Sequence, residues 1–112
     1  MINIDEFAKV EIKIGEILSA EKVEGSDKLL KLSVNFGEES PRQIVSGISL
    51  FFPDTLTLVG KKCAFATNLA PRTIRGLESN GMILAVSGQN GEKDFFSLLE
   101  INADVLPGAS VK

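Results

Sequence analysis

Apolar side chains recur at every second position in several short stretches of the chain, and this period limits the fold more than any other feature of the sequence. It is clearest over residues 28–36, where Leu30, Leu32, Val34 and Phe36 alternate with polar side chains. Successive side chains of a β-strand point to opposite faces, so this alternation predicts a strand that buries one face.

The remaining pattern predicts four more strands and two short helices. The strands cover residues 9–20, 43–48, 62–68 and 82–87, and an extended segment covers 95–99. Gly15 interrupts the first strand and predicts a bulge or sharp bend there. Residues 3–7, with Asn3 as N-cap and Glu6 three residues later as in a capping box, and a segment near 55–59 are predicted to be helical. The stretch 82–87 is apolar enough to be buried on both faces, whereas 70–80 is predicted to be a polar connection.

Three strands, a short helix and two further strands is the element order of the OB-fold. The sequence therefore predicts an all-β protein, a five-stranded Greek-key barrel with short helices and a C-terminal extension. The length of 112 residues suits one core, so residues 1–112 are expected to form a single domain.

The composition excludes several classes of catalytic site. Histidine is absent and Cys63 is the sole cysteine, so Ser–His or Cys–His catalysis and a zinc cluster have no residues to build them. We expect a non-catalytic protein without metal or cofactor, although the fifteen acidic residues leave a carboxylate enzyme as an alternative. A lone cysteine and the lack of a long apolar run are typical of a cytoplasmic protein.

The charges are unevenly distributed along the chain. The net charge is −3, yet residues 28–75 hold seven basic and three acidic side chains, which gives +4. The remainder of the chain carries −7. Since polyanion binders need a local basic surface, the middle of the chain is where such a surface is expected.

Two segments in this basic region carry groups suited to RNA. Residues 68–84 place Arg72 and Arg75 on a loop, and the guanidinium fork of arginine matches phosphate geometry. In residues 42–48, Arg42 and Ser46 are four positions apart and should share one strand face. Lys31 on the neighbouring strand is predicted to share that face too, so that all four cations converge on one concave surface. Ordinary solvated loops and strand faces remain the alternative.

Five segments of the sequence, 5–15, 23–32, 42–48, 68–72 and 78–84, stand in collinear order. Together they resemble the EMAP-type tRNA-binding domain, which occurs at the C-terminus of methionyl-tRNA synthetase or as its free-standing β-subunit. The resemblance implies an OB-fold, a homodimer and structure-specific tRNA binding. With the strand-face argument, it predicts these RNA-binding residues: Lys31, Arg42, Ser46, Asn68, Arg72, Arg75, Ser79 and Met82.

The predicted partners are tRNA, the catalytic chain of methionyl-tRNA synthetase and a second copy of the chain, without a membrane. Surplus apolar residues over 95–111 are a candidate dimer surface. All seven aromatic residues are phenylalanine, and most occupy positions that are predicted to be buried. Because few rings are left to stack on bases, recognition of folded RNA by its shape and backbone is favoured. A peptide-binding, chaperone-like secretion protein of the same fold is the alternative function.

Overall fold

The computed structural model describes all 112 residues. It contains one short helix, α1 (Ile4–Phe7), and two 3-10 turns at Ser49–Phe51 and Thr55–Leu58. The nine strands are β1 (Ile12–Lys22), β2 (Leu30–Asn35), β3 (Arg42–Ser46), β4 (Lys62–Ala66), β5 (Arg72–Ile74), β6 (Leu77–Ser79), β7 (Met82–Ile83), β8 (Ala85–Asn90) and β9 (Lys93–Leu98).

Five strands form one antiparallel sheet in the order β3-β2-β1-β4-β7. The long strand β1 pairs with β4 through its first half and with β2 through its second half. The sheet curls into a nearly closed barrel, because β6, which precedes the edge strand β7 in the chain, packs against β3. There the Val45 amide donates to Ser79 Oγ at 2.9 Å and the Asn80 amide donates to the Gln43 carbonyl at 2.9 Å. The predicted five-stranded barrel is confirmed.

The bend of β1 lies elsewhere than predicted. The register slips between Ile17 and Ser19, so the bulge is there and not at Gly15. Gly15 is required for a different reason: a Cβ atom at this position would lie 2.5 Å from Val34 Cγ1 and 2.6 Å from Phe36 Cε1. The glycine therefore permits close packing of β2 and the residue that follows it against β1.

The barrel interior holds the alternating side chains that the sequence predicted. Leu30, Leu32, Val34 and Phe36 are all buried, and the Phe36 ring meets the Phe65 ring edge-to-face at 5.1 Å. Cys63 lies in the same core, where burial raises the pKa of its thiol to about 11. The side chain therefore packs as a small apolar group and does not form a thiolate near neutral pH.

Two local predictions about the second half of the chain are wrong. Residues 72–79 form the β5–β6 hairpin and not an irregular connection. Residues 82–87 do not form one strand buried on both faces, because pairing with β4 ends at Ile83. The chain then leaves the barrel as β8, which pairs only with β9 and is largely exposed.

Both ends of the chain are attached to the barrel. α1 has the predicted capping box, in which Asn3 Oδ1 accepts from the Glu6 amide at 2.9 Å. The C-terminal extension runs back along β1, where the Val111 amide donates to the Ile12 carbonyl at 2.8 Å. The helical segments have at most four residues, so none of them could span a membrane.

Candidate nucleic-acid interface

Lys31 and Arg42 lie on opposite faces of the sheet, so the prediction that they share a face is wrong. The register places Lys31 opposite Val45, whereas Arg42 is opposite Val34 on the core-facing side. Directly paired residues of antiparallel strands point to the same face. Lys31 therefore points outward, while Arg42 emerges at the end of the barrel interior. Ser46, opposite Leu30, shares the face of Arg42 as predicted and is half-buried.

The guanidinium of Arg42 is occupied by contacts within the protein. Nε and Nη2 each donate to the Glu38 carboxylate at 2.8 Å, and Nη1 donates to the Thr67 carbonyl at 2.7 Å and the Asn80 carbonyl at 3.3 Å. The group also lies over the Phe36 ring, 5.3 Å from its centroid. Arg42 thus joins β3 to the segments that follow β4 and β6.

The Arg42–Glu38 contact changes the titration of both groups. The hydrogen bond from Arg42 lowers the pKa of Glu38, and the same bond raises the pKa of Arg42. Nearby, the hydroxyl of Thr67 donates to Glu11 at 2.7 Å and lowers the pKa of that carboxyl. These carboxylates therefore stay ionised below the usual pH range and hold the end of the barrel together.

Asn68 and Ser79 are also held by the protein's own backbone. Asn68 Oδ1 accepts from the Glu11 amide at 2.8 Å and its Nδ2 donates to the Lys9 carbonyl at 2.7 Å. Ser79 is buried, accepts from the Val45 amide and donates to the Gly81 carbonyl at 2.9 Å. Because the polar atoms of Asn68 and Ser79 already have hydrogen-bond partners within the protein, these side chains hold the strands in place and are not free to bind a ligand.

The β5–β6 hairpin carries the two predicted arginines at its opposite ends. Arg72 is at the base, opposite Ser79, and is exposed without an ion pair. Arg75 and Gly76 form the two-residue turn, with φ of 50° and 78°, respectively. Positive φ at both central residues is the signature of a type I′ turn, which normally selects Asn or Gly at the first of them. An arginine in the left-handed region costs about 1 kcal/mol or more.

Arg75 reaches from this turn across to the β1–β2 connection. Its Nη1 donates to the Gly25 carbonyl at 3.1 Å. Between the two turns lies an open hollow of about 380 Å³, bordered by Arg75 and Lys31 and also by Lys22, Glu21 and Glu24. The hollow is therefore lined by three cations and two carboxylates.

Lys31 also borders a second hollow, of about 290 Å³, along the outer surface of β2 and β3. Ser33, Arg42 and Gln43 line that hollow with it. The structure thus brings Lys31 and Arg75 together and leaves Arg72 at the far end of the hairpin. Met82, opposite Ala66 on β7, is exposed and borders neither hollow.

Lys22, Glu21 and Glu24 belong to this surface but were not predicted. They stand in a short run of mixed sign, Glu21-Lys22-Val23-Glu24, whose charges nearly cancel. A count of local charge therefore gives no signal there. Only the pairing of Lys22 with Leu30 and of Glu21 with Lys31 across β1 and β2 places them beside the basic residues.

A family model described as "Putative tRNA binding domain" matches residues 12–110 of the chain. The sequence is 51% identical over 113 residues to the methionine–tRNA ligase of Methanoregula boonei, a match that covers 100% of this chain. The chain spans only 16% of the length of that relative.

Solved structures share the barrel. A MetRS-related protein from Pyrococcus horikoshii superposes with a TM-score of 0.89 at 37% identity, covering 100% of this chain and 98% of that one. The chaperone CsaA of Bacillus anthracis superposes with a TM-score of 0.83 at 22% identity, covering 100% and 99% of the two chains. At that low identity, the second likeness concerns the fold alone.

Proposed function

The chain belongs to the tRNA-binding domain family, and from that premise we propose that it binds folded tRNA through Lys31, Arg72 and Arg75 and acts with methionyl-tRNA synthetase. The observation that carries the proposal is the position of Lys31 on the outer surface, beside Arg75 and between two open hollows. Cations spaced along a continuous surface suit successive phosphates of an RNA backbone.

The remaining predicted residues have supporting roles in this proposal. Arg42, Asn68 and Ser79 use their polar atoms to hold β3, β4 and the hairpin together, and so fix the spacing of the exposed cations. Ser46 and Met82 border neither hollow, so the proposal gives them no direct phosphate contact. Most phenylalanine rings are in the core or near β9, so the surface offers phosphate contacts more than base stacking.

As a partner of a synthetase, the domain needs no catalytic group of its own. A tRNA held beside the ligase has a high effective concentration at the active site, whether the two are joined in one chain or associate. We place this activity in the cytoplasm, where the bound tRNA would be aminoacylated. We further propose that two copies of the chain form a homodimer, which doubles the basic surface available to RNA.

A salt-dependent titration of tRNA tests the assignment. For wild-type protein we expect a linear fall of log K with log salt, and a slope smaller by about 0.7–0.9 for each phosphate contact removed in Arg72→Ala or Arg75→Ala. Lys112→Ala, at an exposed position that borders neither hollow, removes the same charge elsewhere and is the matched control. Equal losses in all three variants would assign the effect to net charge and not to this surface.

The same titration, repeated with a competing peptide, distinguishes tRNA binding from the chaperone-like alternative. An unfolded peptide added in excess should leave the tRNA affinity unchanged, since the apolar surface near β9 and the basic surface near Arg75 are built from different residues. Displacement of tRNA by peptide would instead favour the chaperone-like alternative.

A further inference from the structure

Lys31 is the one proposed RNA contact that borders both hollows, and it is already paired with a carboxylate. Glu21 lies directly opposite it in the β1–β2 register, and Glu21 Oε2 is 3.4 Å from Lys31 Nζ. The side chains are 64% and 38% exposed, respectively. The pair therefore lies on the outer surface, between Arg75 and the hollow along β2 and β3.

Resting on the proposed function, we propose that Glu21 limits the affinity for RNA by competing with phosphate for the ammonium group of Lys31. An exposed ion pair of this kind is weak, so a phosphate can displace the carboxylate. After displacement, Glu21 remains on the same strand surface and repels the incoming phosphate. Glu24, on the rim of the same hollow, adds to that repulsion.

The contrast with Glu38 separates this role from a structural one. Glu38 holds Arg42 with two hydrogen bonds of 2.8 Å, while Arg42 is also bound to two backbone carbonyls. Removing Glu38 would loosen the end of the barrel. Glu21 has a single contact of 3.4 Å and no hydrogen bond, so its removal changes the electrostatics of the surface and leaves the fold intact.

Such a competitor suits a domain that delivers RNA and then releases it. Affinity differences between related complexes are mostly differences in dissociation rate. A carboxylate held beside a phosphate-binding lysine speeds dissociation without removing the contact. In this proposal, the carboxylates that line the hollow belong to the RNA interface.

The test compares Glu21→Gln with Glu92→Gln. Both substitutions raise the net charge by one unit, but Glu92 lies in the exposed turn between β8 and β9 and forms no ion pair. We expect Glu21→Gln to bind tRNA about two- to fivefold more tightly than Glu92→Gln at low salt, through slower dissociation, with an unchanged thermal melt. Equal affinities for the two variants would overturn the proposal.

A double-mutant cycle with Lys31→Ala gives the second measurement. If Glu21 acts through Lys31, the gain from Glu21→Gln should fall to the level of Glu92→Gln in the Lys31→Ala background. A gain that persists undiminished in that background contradicts the proposal. If the wild-type protein does not bind tRNA at all, both the proposed function and this inference are wrong. If the wild-type protein binds tRNA but Glu21→Gln and Glu92→Gln have the same affinity, only this inference is wrong.

Discussion

Arg42 has the chemistry that RNA recognition needs, yet its donors are directed into the protein. Residue type and spacing alone do not determine whether such a side chain faces the solvent or the protein interior. The sequence indicates that Arg42 and Ser46 share a face, and the structure agrees. Whether that face is the outer or the core-facing one depends on the register with β2, which is set by the turn that joins the strands. The alternation over β2 places Lys31 on the polar face, but which β3 residues share that face depends on the same register.

The unfolding free energy at acidic pH should depend on the contact between Arg42 and Glu38. The pKa of Glu38 is lowered from its ordinary value of 4.5 by the hydrogen bond from Arg42. The contact therefore stabilises the fold fully above the ordinary value and is lost as the pH falls through the lowered one. As the pH falls from neutrality through this lowered pKa, we expect wild-type protein to lose about 0.5–1 kcal/mol more unfolding free energy than Glu38→Gln.

Urea unfolding at several pH values measures this difference. At neutral pH, Glu38→Gln should be the less stable protein by the same amount, and the two curves should converge in acid. The neighbouring Glu39→Gln removes a carboxylate that forms no ion pair and should follow the wild-type curve. Parallel curves for wild type and Glu38→Gln would show that the contact contributes nothing to stability.

At the scale of elements, the predictions succeed where a local rule decides the structure. The alternation over β2 and the capping box of α1 are such cases. The β5–β6 hairpin was missed because its strands have three residues each, too few for a period, and because Arg75 stands where a type I′ turn normally has Asn or Gly. A residue that is costly for its turn is more often explained by function than by folding.

Arg75→Asn should therefore separate stability from binding. Asparagine tolerates positive φ, so we expect the variant to gain about 0.5–1 kcal/mol in unfolding free energy, reduced by the loss of the hydrogen bond to Gly25. Its tRNA affinity should fall as in Arg75→Ala, because the charge is gone. Denaturant unfolding and tRNA titration of the same preparation check both halves. A variant that is less stable than wild type would show that the contact with Gly25 outweighs the backbone strain.

At the scale of the whole molecule, the β8–β9 hairpin is the part that a single copy does not explain. It leaves the barrel and pairs with no other strand, although an isolated two-stranded hairpin is only marginally stable in water. Val86 and Phe95 on it are 46% and 48% exposed. At its base, the ring of Phe51 stacks on Phe96 at 4.0 Å, beside an open hollow that Asp94 and Glu100 line together with these rings. The sequence predicts that residues 82–87 are buried within the chain, because an apolar pattern does not say which chain covers it.

We propose that a second copy covers this surface, across a two-fold axis, and that the dimer doubles the basic surface available to RNA. Val86→Lys places a charge in the middle of the proposed interface. In sedimentation at low micromolar concentration, wild-type protein should run at twice the 12.0 kDa of the chain and the variant at 12.0 kDa. Leu56→Lys, 76% exposed on the second 3-10 turn, should remain dimeric.

The tRNA affinity of the same two variants distinguishes dimerisation from charge. Each adds one positive charge, and for a polyanionic ligand that change alone strengthens binding. Loss of the second basic surface weakens binding instead, because both copies no longer engage one RNA. We therefore expect Leu56→Lys to bind tRNA at least as tightly as wild type and Val86→Lys to bind more weakly despite its added charge. Tighter binding by a monomeric Val86→Lys would show that one copy of the Lys31–Arg75 surface is sufficient.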